Sequence, residues 1–181
     1  GEISIVENKG VSHVDDFSEM GITDGLIAYY PLDKDFKDYS GNGYHGTAYG
    51  TPTLTDGINQ KCYSFDTTNG IDISNLTINA NMITVSGWFK REGVPKSNCH
   101  ILTFDTSMEI SIPDNTGEIR TSIIVNNVRS VSNHGSGLTD NGWHFLCMTY
   151  DGEYRKSYID GKLVGSVNIV GTMKEPTTNT I

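Results

Sequence analysis

Basic residues are scarce in this chain. Only 13 Lys and Arg stand against 22 Asp and Glu over 181 residues, a net charge of −9. Phosphate neutralisation needs clustered Lys and Arg, so the balance argues against nucleic acid as a partner. Anionic membrane surfaces are disfavoured for the same reason. No run approaches the ~20 apolar residues of a spanning helix, and the N-terminus has no signal-type apolar stretch, so no membrane insertion is expected. Cysteine is almost missing: Cys62, Cys99 and Cys147 are an odd number without CxxC or Cys/His metal spacing. Each sits in an apolar run, which predicts free thiols packed as small hydrophobes instead of a disulfide framework. Helical periodicity is scarce as well. The best stretch, Val14 to Met20, is short and poorly capped.

Short strand-like runs fill nearly the whole chain instead. They are Leu26 to Tyr30, Lys61 to Asp66, Ile71 to Ile73, Met82 to Phe89, His100 to Phe104, Met108 to Ile112, Ile119 to Val125, Trp143 to Tyr150, Lys156 to Ile159 and Leu163 to Ile169. Several alternate with period two; Ile83, Val85, Gly87 and Phe89 share one face of their run. Phe65, Phe89, Phe104 and Phe145 read as core residues, and Trp88 and Trp143 as sandwich core or sheet edge. The 20 glycines, with Asp and Asn, punctuate the intervals. Asp151-Gly152 and Asp160-Gly161 supply the positive-φ residues of two tight hairpins that join three successive strands. Many strands at short spacing with Gly-rich turns predict an all-β fold, a two-sheet antiparallel jelly-roll sandwich.

Residues 1–24 read as an N-terminal arm or linker, with one possible strand at Glu2 to Val6 followed by a polar, weakly periodic stretch. Residues 25–181 read as the jelly roll. Pro176 to Ile181 leads into what reads as a new strand, which predicts that the fold's closing strand lies beyond Ile181 in a longer polypeptide; a sheet without it exposes an unpaired edge.

Three blocks carry a family resemblance. The first runs from Gly25-Leu26-Ile27-Ala28-Tyr29-Tyr30-Pro31-Leu32-Asp33 into Asp38-Tyr39-Ser40-Gly41-Asn42-Gly43-Tyr44-His45-Gly46. The second joins Tyr63-Ser64-Phe65-Asp66 and Ile71-Asp72-Ile73 to Ile83 through Lys90. The third is Gly142-Trp143-His144-Phe145, Met148 to Gly152, then Tyr158-Ile159-Asp160-Gly161-Lys162-Leu163-Val164-Gly165. In this order, over about residues 25 to 175, the chain resembles a laminin-G-like domain of the concanavalin A-like lectin and glucanase superfamily. The resemblance implies a two-sheet jelly roll that binds carbohydrate, commonly with calcium.

The Gly-rich loop Asp33 to Gly43 concentrates hard oxygen donors of the kind calcium takes six to eight of. It departs from the EF-hand pattern, and an ordinary acidic turn is the competing reading. The resemblance assigns a calcium site most firmly to Asp38, with Ser40, Asn42 and Asp33 beside it, and a further carboxylate beyond the end of this chain. Sugar recognition uses an aromatic face for the C–H side of the ring and Asn, Asp or Arg for hydroxyls. Tyr44, Tyr49, Arg91, Asn126, Asn127, Arg129, Asn133 and His134 are the ligand-binding candidates on polar–aromatic loops, with Val125 to Val128 equally readable as a plain hairpin turn. Enzyme signatures are missing: there is no ExDxE string placing paired carboxylates on one strand, no GxSxG, no HExxH and no phosphate loop. His144 beside Trp143 reads as a rim or core histidine.

These features predict a non-catalytic adhesion or carbohydrate-binding module on a larger surface or virion protein, of phage tail type. Its expected partner is a cell-surface glycan or host receptor, in an oligomeric assembly on an extracellular, cell or virion surface. A purely structural decoration module and an accessory domain of an extracellular enzyme are the alternatives.

Overall fold

In the computed structural model, residues 25–78, 80–93, 99–105, 107–113 and 116–174 are described, together with the backbone of Ile3–Val6. The Val14–Met20 stretch, the rest of the arm and Pro176 to Ile181 lie outside the described residues.

Fourteen strands are described: β1 (Ile3–Val6), β2 (Leu26–Tyr30), β3 (Thr47–Tyr49), β4 (Thr53–Asp56), β5 (Lys61–Ser64), β6 (Gly70–Asp72), β7 (Ile83–Lys90), β8 (Cys99–Phe104), β9 (Met108–Ile112), β10 (Ile119–Val125), β11 (Val128–His134), β12 (Trp143–Tyr150), β13 (Tyr154–Ile159) and β14 (Lys162–Asn168). They make a six-stranded sheet in the order β14-β13-β12-β7-β1-β2, a four-stranded sheet β11-β10-β9-β8, and two ribbons, β3-β6 and β4-β5. Every pairing is antiparallel. This is an all-β jelly-roll sandwich. The strand read at the head of the arm is β1, which pairs with β2 on one side and β7 on the other, so these four residues belong to the sheet.

Strict alternation explains why the sheets pack. Ile83 and Val85 of β7, Leu146, Met148 and Tyr150 of β12, and Ala28 and Tyr30 of β2 turn inward and are buried. Opposite them lie Leu102 and Phe104 of β8, Met108, Ile110 and Ile112 of β9, and Ile119, Ile123 and Val125 of β10. Each such side chain contributes about 1.5–3 kcal/mol when taken from water. At one side of this core the sheets meet through polar groups: Thr121 Oγ1 and Ser157 Oγ are 3.0 Å apart. Arg155, 1% exposed, donates to the Ser130 carbonyl at 2.5 Å and to Ser132 Oγ.

Phe104 is core as expected. Phe65 is not: it is 39% exposed, its ring 6.4 Å from that of Tyr63. It follows β5, whose ribbon partner β4 is exposed along its whole length. Phe145 and Trp88 are half-buried and pair at 5.5 Å. Their register partnership in β12 and β7 puts both on the face of the six-stranded sheet away from the core, because their neighbours Leu146 and Val85 point inward.

Asp160 and Gly161 both have positive φ, 50° and 76°, and form the two-residue turn between β13 and β14. The Asp151-Gly152 connection is one residue longer. Asp151 Oδ1 accepts from the amides of Glu153 at 3.0 Å and Tyr154 at 2.6 Å, closing it.

Candidate functional site

The loop Asp33 to Gly43 is organised by one carboxylate. Asp38 is 5% exposed. Its Oδ1 accepts from the Tyr29 amide at 3.0 Å and the Ser40 amide at 2.8 Å. Its Oδ2 accepts from Ser40 Oγ at 2.9 Å and the Tyr44 amide at 3.0 Å. Asn42 Nδ2 reaches the carbonyls of Leu26 and Ile27, each at 2.9 Å. Both oxygens of Asp38 are therefore spent on N–H and O–H donors, and Ser40 is turned toward Asp38. Asp33 leaves one buried Oδ1 without a hydrogen-bond partner among the described residues. The Asp33 carboxylate and Asn42 Oδ1 are the side-chain oxygens of this set left without a hydrogen bond among the described residues, fewer than the six to eight that calcium takes. Among the described residues no three His, Cys, Asp or Glu side chains converge as a metal site. The set Asp33, Asp38, Ser40 and Asn42 does not fit a calcium cage; it fits a self-satisfied turn pinning the loop to β2.

The predicted ligand-binding residues are scattered. Tyr44 packs against the core and, with Asn42, lines a shallow cleft of about 250 Å³ beside Leu26, Ile27 and Ala80. Tyr49 is exposed on the β3-β6 ribbon, its ring over Gly70. Arg91 is 6% exposed, so it is withdrawn from any surface ligand. Asn126 and Asn127, at φ 51° and 63°, make the hairpin turn between β10 and β11. Asn126 is tied down further: its Nδ2 donates to the Val170 carbonyl at 3.2 Å and its Oδ1 accepts from the Thr172 amide at 3.1 Å. His134 turns inward, its ring lying against Gly165 of β14.

Arg129 and Asn133 behave differently. The segment holding them, expected to be loop, is the edge strand β11, and its register places both side chains on the outer face of the four-stranded sheet. There they meet residues that no sequence motif had singled out. Asn133 stands opposite Arg120, Arg120 opposite Ser111, and Ser111 opposite His100. One level along, Ser122 stands opposite Glu109. Glu109 is 7% exposed and lies at the centre of a network. Its Oε1 accepts from Ser111 Oγ at 2.5 Å and lies 3.4 Å from His100 Nδ1. Its Oε2 takes Arg129 Nη2 at 2.6 Å, and the same Nη2 donates to Ser122 Oγ at 3.0 Å. Arg120 Nε donates to Asn133 Oδ1 at 3.1 Å.

Such a face is preorganised. A charge-assisted pair holds Arg129, and Glu109 has its oxygens fixed before any ligand arrives. Donors from Arg120, Arg129, His100 and Asn133 then stand on one rigid sheet around the Glu109 carboxylate, with Ser111 and Ser122 buried beneath them, an arrangement suited to several hydroxyls at once. The remaining histidine of the third block, His144, sits away from this face, on β12, between Asp140 and Asp160. The three cysteines are free: Cys62 is buried, and burial pushes the half-buried Cys147 up to about 11.

Comparison with known proteins bears on what carries such a face. The structure superposes on domain 4 of AbnA, a GH43 extracellular arabinanase from Geobacillus stearothermophilus solved with arabinotriose. The TM-score is 0.62 at 19% identity, over 86% of this chain and 82% of that one. It also superposes on botulinum neurotoxin type C, whose cell entry depends on two ganglioside molecules, with TM-score 0.70, 16% identity, and 90% and 43% coverage. The binding domain of botulinum neurotoxin DC, solved with rat synaptotagmin II, gives 0.69, 17%, and 88% and 44%. The chain thus spans under half the length of the toxin chains it matches. No curated protein matches it. At these identities the likeness is one of fold. The sequence itself matches a laminin-G family over residues 65–181, the stretch that holds β7 to β14 and with them the whole Glu109 face. On that match the chain belongs to the concanavalin A-like lectin/glucanases superfamily.

Proposed function

We propose that this chain is a non-catalytic carbohydrate-binding module whose glycan lies on the outer face of β8 to β11. The observation that carries the reading is the Glu109–Arg129 pair, 2.6 Å apart, with a buried carboxylate at the centre of a face that also holds Arg120, Asn133 and the exposed Val131. A donor and an acceptor locked side by side match a pair of neighbouring sugar hydroxyls. On this face Glu109 is bound by Arg129 and Ser111, and Glu118 touches the network only through Asn133 Nδ2 at 3.5 Å. Glycoside hydrolysis by the usual route needs two carboxyl groups about 5–9.5 Å apart, one of them protonated. The fold supports the reading, since the AbnA domain was solved with an arabinose trisaccharide and the type C toxin engages gangliosides. Display in several copies, on an extracellular, cell or virion surface, would make up for weak binding at each site. Each protein–sugar hydrogen bond adds only ~0.5–1.5 kcal/mol net, giving millimolar to micromolar affinity at one site. Linking sites raises avidity by ~10²–10⁴.

Amide-resolved NMR titration of the chain with a panel of neutral and acidic oligosaccharides tests this. Shifts should cluster on β9, β10 and β11, and Arg129→Ala should weaken binding by at least about tenfold, the loss of one charged hydrogen-bond donor. A panel without a ligand, or shifts confined to another surface, would overturn the proposal.

A further inference from the structure

Two arginines stand on the Glu109 face, and they are not equivalent. Arg129 is charge-paired: its Nη2 serves Glu109 and Ser122. Arg120 is half-buried on the neighbouring strand and uses only Nε, toward Asn133 Oδ1. Its two Nη groups have no hydrogen-bond partner, and it has no carboxylate partner, among the described residues. Asn133 in turn sends its Nδ2 toward Glu118 Oε2 at 3.5 Å, which fixes the amide with its oxygen toward Arg120. Held through Nε, the guanidinium keeps its Nη edge for something else. Water can serve it, yet the position argues for more. Asn133, Arg120, Ser111 and His100 line up across three strand pairings, so the free edge belongs to a row of polar side chains that crosses the sheet.

We infer that this face selects glycans carrying a carboxylate, a uronic or nonulosonic acid, with Arg120 receiving the acid group while the Glu109–Arg129 pair takes hydroxyls. The inference rests on the glycan reading and adds its chemical class. A guanidinium edge matches a carboxylate through two parallel N–H donors, a geometry no hydroxyl reproduces. The chain's net charge of −9 sets the upper bound on ligand charge. Long-range repulsion acts on every anionic group, whereas the favourable contact is made once. One carboxylate per recognised sugar fits that balance, and a densely sulfated chain does not.

The test compares matched ligands on the same protein. Oligomers of glucuronate and galacturonate and a sialyl-terminated trisaccharide are titrated beside their carboxyl-reduced, neutral counterparts at low and high salt. At least one acidic member should bind about tenfold tighter than its neutral twin, equivalent to about 1.4 kcal/mol. The ratio should shrink with salt, because the contact is solvent-exposed. Arg120→Gln should bring the ratio toward one. Lys162→Ala, on the edge of the other sheet, should leave it unchanged. Equal binding of every acidic and neutral pair, or a preference that survives Arg120→Gln, overturns the inference while leaving a glycan site in place. Absence of binding by acidic and neutral members alike overturns the glycan reading and the inference with it.

Discussion

Nδ1 of His144 lies 2.8 Å from Oδ2 of Asp160, at the turn between β13 and β14. The other ring nitrogen, Nε2, is 2.9 Å from Oδ1 of Asp140. One imidazole at the head of β12 therefore ties the loop before its own strand to the next hairpin. Asp160 is fixed from its other oxygen, which accepts the Phe145 amide at 2.9 Å.

This clamp predicts a pH profile for stability. Burial alone would lower the pKa of His144, but the hydrogen bonds and charges of Asp160 and Asp140 together outweigh it, and the net shift is upward from 6.5. A cation favoured in the folded state stabilises fully below its unfolded pKa, and the stabilisation is lost as pH rises through the raised folded value. For Asp140 and Asp160 the net shift is downward from 3.8, so their share is present above that value and lost in stronger acid. For Asp140 the His144 hydrogen bond leads; for Asp160 burial opposes the shift and His144 overcomes it. Thermal melts should plateau between about pH 4 and 6.5 and decline toward alkaline pH. In His144→Gln the alkaline decline should vanish; an unchanged profile in that variant would remove the clamp from the account.

Asp38 makes a second prediction, about the loop expected to hold calcium. Its carboxylate satisfies the amides of Tyr29, Ser40 and Tyr44 in a buried setting. Leaving such donors unpaired costs about 1–3 kcal/mol each, so Asp38→Ala should lose on the order of 3–5 kcal/mol. Asp38→Asn, which keeps one acceptor oxygen, should lose less. Because those oxygens face N–H groups, melts with calcium and with chelator should coincide. A rise of several degrees with calcium would show that the loop binds the ion by other atoms.

What was legible in the sequence follows a physical division. β9, β10 and β12 begin and end where their apolar alternation does, at Met108–Ile112, Ile119–Val125 and Trp143–Tyr150. Burial on one face writes that period into the chain, and Asp160-Gly161 writes its turn by backbone necessity. β11 was unreadable because its inward residues include Ser130 and Ser132, polar partners of Arg155, so Val128–His134 lacks an apolar stripe. Glu109 was unreadable as a site for a different cause. It meets Arg129 through the registers of β9 with β10 and β10 with β11, and no local string encodes a register. Composition does not separate them: Arg129 and Asn133 stand on the face proposed to bind glycan, whereas Asn126 and Asn127 share that composition and serve the turn.

The turn itself is testable. Asn126 and Asn127 both sit at positive φ in a two-residue hairpin connection, the conformation that glycine adopts without steric cost. Asn126 is also bound to the chain at Val170 and Thr172, while the Asn127 side chain makes no hydrogen bond among the described residues. Asn127→Gly should therefore hold or raise stability by up to about 1 kcal/mol, and Asn126→Gly should lower it, because the hydrogen bonds to 170–172 are lost. Chemical denaturation of the two variants measures the difference. Equal effects would mean that the Asn126 side chain contributes nothing beyond its φ.

A tight approach between the two sheets gives the last prediction. Gly165 of β14 lies directly under the imidazole of His134, and a methyl group there would fall on the ring, near Cγ, where the side chain has least freedom to swing away. Gly165 has no positive φ that would make a side chain strained by backbone alone, so sterics against His134 is the whole cost. Gly165→Ala should destabilise by about 1–3 kcal/mol, as overpacking does. His134→Ala opens space at the same point and removes a buried Nε2 that has no hydrogen-bond partner among the described residues. The double variant should then be less destabilised than the sum of the two, with a coupling of about 0.5–3 kcal/mol read from a double-mutant cycle by urea denaturation. Strict additivity would separate the two residues and remove the contact that sets the spacing of β11 and β14. The same cycle distinguishes a packing histidine from a binding one. If His134 serves the sheets' packing, its loss should change stability and leave the ligand-induced shifts on β9 and β10 in place.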